Sequence, residues 1–169
     1  LEYESSNISD RIEYRVFYFK KAFISVDSVT VKDINVKTNM EFEAETDLYS
    51  QIREKDSDGK YGKFGIEAVV TDTPAYLAYG PYIDKLALGS FRADFSLKVN
   101  DNTLNSDVIK IEVYNTTKDR IITYKTLKCN DFEKSNFTQV FSLYFNNTQL
   151  NDVYEFRAFY IGNSETIID

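Results

Sequence analysis

Tyrosines and carboxylates carry most of the chemistry this chain can offer. The segment Tyr76-Leu77-Ala78-Tyr79-Gly80-Pro81-Tyr82-Ile83 sets tyrosines on both sides of a Gly-Pro step. Pro81 fixes φ and Gly80 permits φ > 0, so a chain reversal with rings fanned around it is expected there. Upstream, Glu43-Ala44-Glu45 places two carboxylates two residues apart. On an extended strand such side chains share a face. Aromatic faces suit stacking on a pyranose ring, and paired carboxylates suit a hard cation. The same acids have a plainer reading: Glu41, Glu43 and Glu45 alternate, and such a row can simply face water.

Sugar recognition also needs planar polar groups to bracket hydroxyls. Tyr49, Tyr61, Tyr76, Tyr79 and Tyr82 fall in a strap and a turn, with Arg53, Asp72 and Asn163 as polar candidates. From these we take Tyr49, Arg53, Tyr76, Tyr79 and Asn163 as the candidate ligand-binding set. Tyr82, next to Pro81 and leading into a strand, reads as structural. Any one tyrosine in a β-sandwich more often packs with its hydroxyl on a backbone carbonyl. Without tryptophan, stacking would rest on tyrosine and be weak.

The elements that must position these residues follow from period-2 patterning. Phe91, Ala93, Phe95, Leu97 and Val99 share a face against Arg92, Asp94, Ser96 and Lys98. Ile109, Ile111 and Val113 alternate with Lys110 and Glu112; Phe137, Phe141, Leu143 and Phe145 with Thr138, Ser142 and Tyr144; Phe156, Ala158 and Tyr160 with Glu155 and Arg157. These predict half-buried strands with one wet face. Asn100-Asp101-Asn102, Asn115-Thr116-Thr117, Asn146-Asn147 and Gly162-Asn163 carry turn chemistry between them. Asp47 to Lys55 reads as a helical turn or irregular strap, followed by a polar, acidic and Gly-bearing loop from Asp56 to Gly62. The pattern predicts an all-β chain, an antiparallel β-sandwich of jelly-roll type.

Composition removes several functions. The chain has 169 residues, a net charge of −7, no histidine and one cysteine, Cys129. Nucleic-acid binding wants a basic patch, and anionic lipid surfaces are disfavoured by the same charge. No Ser-His-Asp or Cys-His nucleophile, His-bearing zinc site or internal disulfide can be built. A glycosidase needs two carboxylates at a set separation, which sequence does not define; the expectation is a non-enzyme. No apolar run is long enough to cross a bilayer, so no direct membrane insertion by this segment is expected.

The chain reads as part of a longer protein. Glu13-Tyr14-Arg15-Val16-Phe17-Tyr18 running to Asp27 matches Glu155-Phe156-Arg157-Ala158-Phe159-Tyr160 running to Asp169 without a gap. Residues 1–38 are then either the tail of a preceding similar module or two more strands of the same sandwich. In both readings they dock on a main body of residues 39–169, since so short a piece cannot fold alone.

Glu43-Ala44-Glu45, the Gly-bearing loop from Gly59 to Gly65 and a terminal strand closing on Asp169 resemble carbohydrate-binding modules of families 6 and 35. Tyr79-Gly80-Pro81-Tyr82 followed by a long alternating strand resembles sandwich domains appended to microbial membrane glycosyltransferases and surface enzymes. The similarity covers roughly residues 41–169. It implies a jelly roll with a structural Ca2+ between the first and last strands, with Glu43, Glu45 and Asp169 supplying carboxylate oxygens and Asp27 as an alternative to Asp169. The function expected is a non-catalytic carbohydrate-binding-like module on the extracytoplasmic or cell-surface side of a larger protein, such as the soluble domain of a glycosyltransferase. Its partners would be a glycan or lipid-linked sugar and the rest of the parent chain. The rival expectation is a structural or adhesion spacer with no sugar site. Four N-x-S/T sequons, at Asn7, Asn115, Asn136 and Asn146, lean towards export.

Overall fold

The computed structural model describes residues 31–33, 39–55 and 65–169. The elements in chain order are β1 (Val31–Asp33), β2 (Asn39–Met40), α1 (Ala44–Asp47), β3 (Ile66–Ala68), β4 (Ala75–Ile83), β5 (Gly89–Val99), β6 (Asp107–Asn115), β7 (Arg120–Lys128), a 3-10 turn at Cys129–Asp131, β8 (Gln139–Asn147), β9 (Tyr154–Tyr160) and β10 (Thr166–Ile168). They form two antiparallel sheets. One runs β4-β9-β6-β7; the other is centred on β5, with β8 along one edge and β10, then β3, along the other. From β3 onward successive strands switch sheets except at the β6–β7 hairpin, the jelly-roll order. The fold class expected from the alternation is the one observed.

Alternation sets which side chains are buried. Phe91, Ala93, Phe95, Leu97 and Val99 of β5, Ile109, Ile111 and Val113 of β6, and Phe156, Ala158 and Tyr160 of β9 all lie inside. Phe145 ties the two sheets together, its ring 5.4 Å from Phe91 on its own sheet and 5.9 Å from Phe156 on the other. Each of the Val, Leu, Ile and Phe side chains among them stabilises the fold by about 1.5–3 kcal/mol through burial. β1 and β10 follow one another along the same edge of β5: Ile168 pairs with Leu97, Asp169 N–H donates to Ser96 O, and Val31 pairs with Ala93.

Several expectations need correction. Tyr76 to Ile83 is not a reversal but lies within β4, a single edge strand with register shifts between Tyr76 and Ala78 and between Gly80 and Ile83. Gly80 (φ 107°) and the cis Gly80–Pro81 bond are absorbed as an irregularity at the edge, where a residue lacking N–H costs least. Glu43 and Glu45 do not share a strand face: Glu43 is the extended N-cap of α1 and Glu45 lies in the helix. Asp47 closes that turn by accepting from Glu43 N–H at 2.9 Å. The helical turn therefore starts before Asp47, and Leu48 to Lys55 is the irregular strap. Phe137 is 54% exposed and precedes β8, so it leaves the inward series. Asn146-Asn147 closes β8 rather than forming a turn. The outer faces are also less wet than the alternation suggests, because Asp94, Ser96, Glu112 and Glu155 are buried. The repeat read over residues 13–27, including Asp27, lies outside the described residues; of residues 1–38 only Val31–Asp33 is described, and it pairs with β5 and β2. Tyr61 and most of the Gly59–Gly65 loop also lie outside them.

Candidate functional site

The outer face of the four-stranded sheet carries a row of rings. Tyr76 and Tyr79 come from β4, Phe159 from β9, and Tyr49 from the strap, which is laid along β4 by reciprocal Tyr49–Tyr79 backbone bonds of 2.9 Å. Gln51 extends the seam: its N–H donates to Tyr76 O, and its side-chain oxygen accepts from Tyr76 N–H at 3.1 Å. Ring centroids are 5.6 Å apart for Tyr49–Tyr79, 6.2 Å for Tyr76–Tyr79 and 5.2 Å for Tyr76–Phe159. Gly80 is called for by its positive φ of 107° and not by the ring, since a Cβ there would meet Tyr49 at 3.6 Å, an ordinary contact. Tyr49 remains 50% exposed, with Lys55 Nζ 5.2 Å from its ring centroid.

Beside this row lies a charged floor. Register brings Tyr79 opposite Arg157 and Arg157 opposite Glu112. Arg157 Nε donates to Glu155 Oε2 at 2.7 Å, and its Nη1 lies 3.5 Å from Glu112 Oε1. Its guanidinium also lies 3.4 Å from the Tyr114 ring centroid and 5.4 Å from that of Tyr76. Tyr76 hydroxyl donates to Glu112 Oε1 at 3.1 Å. Lys110 Nζ stands 2.8 Å from Glu112 Oε2 as an ion pair, although that oxygen has no aligned hydrogen bond. Glu112 and Glu155 are 0% and 2% exposed. Despite its burial the Arg157 pKa is raised, held up by the hydrogen bond and charge of Glu155. At the rim, burial and then the Glu155 charge push the Tyr82 phenol up. Tyr82 is 54% exposed, so it belongs to the surface of this face rather than to the core.

Of the candidate ligand residues, Tyr49, Tyr76 and Tyr79 are brought together. Arg53 is committed elsewhere: its Nη2 bonds Asp72 Oδ2 at 2.7 Å, and this bond lowers the Asp72 pKa. Asp72 in turn accepts from Val69 N–H, which closes the loop before β4. Asn163, at φ 72°, is a turn residue donating to Asp107 O at 2.8 Å. Arg157, Glu112, Glu155 and Phe159 are the members that sequence reading missed. Glu155 and Arg157 alternate with the inward Phe156, Ala158 and Tyr160, a pattern that by itself predicts a wet face.

The candidate cation ligands are neighbours without forming a ligand set. Among the described residues no three Asp, Glu or Cys side chains converge as metal ligands. Burial raises the Glu43 pKa first, and the charges of Glu45, Glu41, Asp47 and Asp169 raise it further. Glu45 Oε1 accepts from Gly65 N–H at 2.9 Å, while its Oε2 is buried with no hydrogen-bond partner. A buried orphan oxygen among repelling acids fits a hard cation.

These shifts have a pH consequence. A raised carboxyl pKa means the folded state binds the proton more tightly than the unfolded one. Stability will therefore rise as metal-free protein is taken from neutral pH down towards the ordinary glutamate range, through Glu43 and also Glu67, raised by burial and Glu165. Asp72 and Asp152, whose pKa values are lowered, act in the opposite sense, and their contribution is lost only on further acidification. Thermal melts across pH will show this rise, diminished in Glu43→Gln. A flat profile that the substitution leaves unchanged would remove Glu43 from the account.

No protein-family model matches the sequence, and no curated protein matches it significantly. A solved structure to which the fold is similar is the C-terminal CBM6, a family 6 carbohydrate-binding module, of LamC, a marine laminarinase from Zobellia galactanivorans. The TM-score is 0.39 at 10% identity, covering 73% of this chain and 90% of that chain.

Proposed function

We propose that this domain is a non-catalytic carbohydrate-binding module that holds a glycan against the outer face of the four-stranded sheet. The observation that carries the reading is the Tyr49–Tyr79–Tyr76–Phe159 row beside the paired floor of Arg157, Glu112 and Glu155. Rings on a surface, held by backbone bonds and flanked by fixed polar groups, offer a sugar its apolar face and its hydroxyls at once. The floor charges pair off among Lys110, Arg157, Glu112 and Glu155, which suits an uncharged sugar. Tyr49 and Tyr79 are the stacking residues; Tyr76 is committed to Glu112 and braces them.

A Ca2+ ion near α1 and the chain end is part of the proposal, with Glu45 as its first ligand and Glu43 and Asp169 drawn in. It would be structural, relieving the repulsion at Glu43 and fixing the strap that carries Tyr49. The module would belong to a larger extracytoplasmic or membrane-anchored protein, such as a glycosyltransferase, and would raise the local concentration of a glycan or lipid-linked sugar for a partner domain. Described helices include none long and apolar enough to cross a membrane.

A glycan array followed by titration calorimetry, with Ca2+ and after chelation, tests the reading. Tyr79→Ala or Tyr49→Ala will weaken binding at least about tenfold, roughly 1.4 kcal/mol. Tyr144→Ala, on the other sheet, will leave it unchanged. Silence of the folded protein across the array would move the assignment to a structural or adhesion spacer, with Val140 and Tyr144 exposed on β8 as its contact surface.

A further inference from the structure

The structure separates the sequons that the sequence alone treats as equivalent, and we infer that Asn136 and Asn146 are N-glycan acceptors while Asn115 is closed. The inference rests on the extracytoplasmic placement proposed above, since the transfer takes place outside the cytoplasm.

N-glycosylation joins the asparagine side-chain nitrogen to C1 of an oligosaccharide carried on a polyprenyl phosphate or pyrophosphate. The C1–O bond to phosphate breaks, the lipid phosphate leaves, and the amide gives up one proton. The nitrogen must therefore be reachable and uncommitted, and the product needs room for a bulky group.

Asn115 fails on both counts. It is fully buried at the end of β6, and its Nδ2 donates to Asp152 Oδ2 at 2.9 Å. Its Oδ1 accepts from Lys118 N–H at 2.9 Å, which shapes the β6–β7 turn. Asp152 is further held by Lys118, 2.5 Å away. Thr117, the hydroxyl residue of this sequon, donates no access either: its Oγ1 accepts from Val153 N–H at 2.9 Å. The Asn115 amide is a piece of buried architecture.

Asn136 and Asn146 are both exposed. Asn136 sits in the turn before β8 at φ 57°, anchored through its backbone N–H to Val99 O at 2.7 Å. Asn146 lies near the end of β8 on the solvent side, alternating with inward Phe145 and Asn147. Its Oδ1 accepts from Ser90 Oγ, leaving Nδ2 directed to no partner among the described residues. Asn146 is on the solvent side of the β5–β8 sheet, so a glycan there stands on the opposite side of the sandwich from the tyrosine row, and Asn136 is bonded to the end of β5 in that same sheet.

The test uses the folded chain carrying Asn7→Gln, so that only these three sequons count. It is incubated with a single-subunit oligosaccharyltransferase of N-x-S/T specificity and its lipid-linked oligosaccharide, and read by intact mass and peptide mapping. A synthetic peptide spanning residues 111–121 serves as control. The expected result is two additions, at Asn136 and Asn146, none at Asn115 in the folded chain, and addition to the peptide. Asn136→Gln and Asn146→Gln will each remove one. Occupancy of Asn115 in the folded chain, or absence of glycan from Asn136 or Asn146, overturns the inference. Because the readout is mass rather than sugar affinity, its failure is distinct from failure of the binding reading; glycosylated protein that still binds on the array supports both.

Discussion

Arg157→Met will lower the stability of this domain by about 3–5 kcal/mol, the cost of leaving buried charge without its partner. Arg157 is the cation shared by Glu155 and Glu112, both almost wholly enclosed. Removing it takes from Glu155 its guanidinium partner and leaves Glu112 with Lys110 and the Tyr76 hydroxyl. For a domain of this size the loss corresponds to a fall in Tm on the order of 10 °C. Urea unfolding at neutral pH checks it. Two companions separate charge from packing. Glu155→Gln placed on Arg157→Met will recover part of the loss, because the stranded charge is gone. Arg157→Lys will recover part of it while breaking the two-nitrogen contact with Glu155. If Arg157→Met costs less than about 1 kcal/mol, the floor is solvated and not the buried network described. Sugar affinity in Arg157→Lys adds a further reading: Tyr76 loses the guanidinium beside its ring, so binding falls although the fold persists.

The second large effect is at Gly65. Its φ is +98°, and a Cβ built there would lie 2.0 Å from Ile168 O, 2.8 Å from Ile168 C and 2.9 Å from Asp169 Cα. All three are backbone atoms, so no side-chain rotation relieves the clash. Gly65→Ala is expected to cost roughly 3 kcal/mol or more, combining the left-handed strain with displacement of β10 from β3. Gly162 supplies the internal standard. It also has positive φ, +124°, but nothing lies within 4 Å of its Cβ position. Gly162→Ala should therefore cost only the conformational part, about 1 kcal/mol. Chemical denaturation of the two variants side by side isolates the steric part as their difference; equal losses would show that β10 does not press on Gly65. The Gly65 effect also reaches the acidic cluster, because Gly65 N–H is the donor to Glu45.

How far the sequence revealed this depends on what each residue answers to. The alternations of β5, β6, β8 and β9 answer to burial, which repeats every second residue, and they gave both the strands and the sandwich. β4 was misread because Gly80-Pro81 has one local meaning, a turn, and another on a sheet edge, a bulge; only the neighbouring β9 decides between them. β7 escaped because it is an edge strand whose Ile121 and Tyr124 are exposed, so burial leaves little pattern in it. The site divides in the same way. Tyr49, Tyr76 and Tyr79 were found from residue type. Arg157, Glu112 and Glu155 were not, because alternation predicts a wet outer face. Arg157 of β9 has the rings of Tyr76 from β4 and Tyr114 from β6 over it, contacts made across strands that alternation along one strand does not predict. Arg53 and Asn163 had the right chemistry but are used up in shaping loops.

The placement of β1 and β10 along one edge of β5 has a mechanical consequence. Val31 begins opposite Ala93 and Asp169 ends beside Ser96, so the two points lie about 10 Å apart at the rise of an extended strand. A force applied between Val31 and Asp169 would therefore be borne by one short stretch of the central strand β5 and would not stretch the sandwich from end to end.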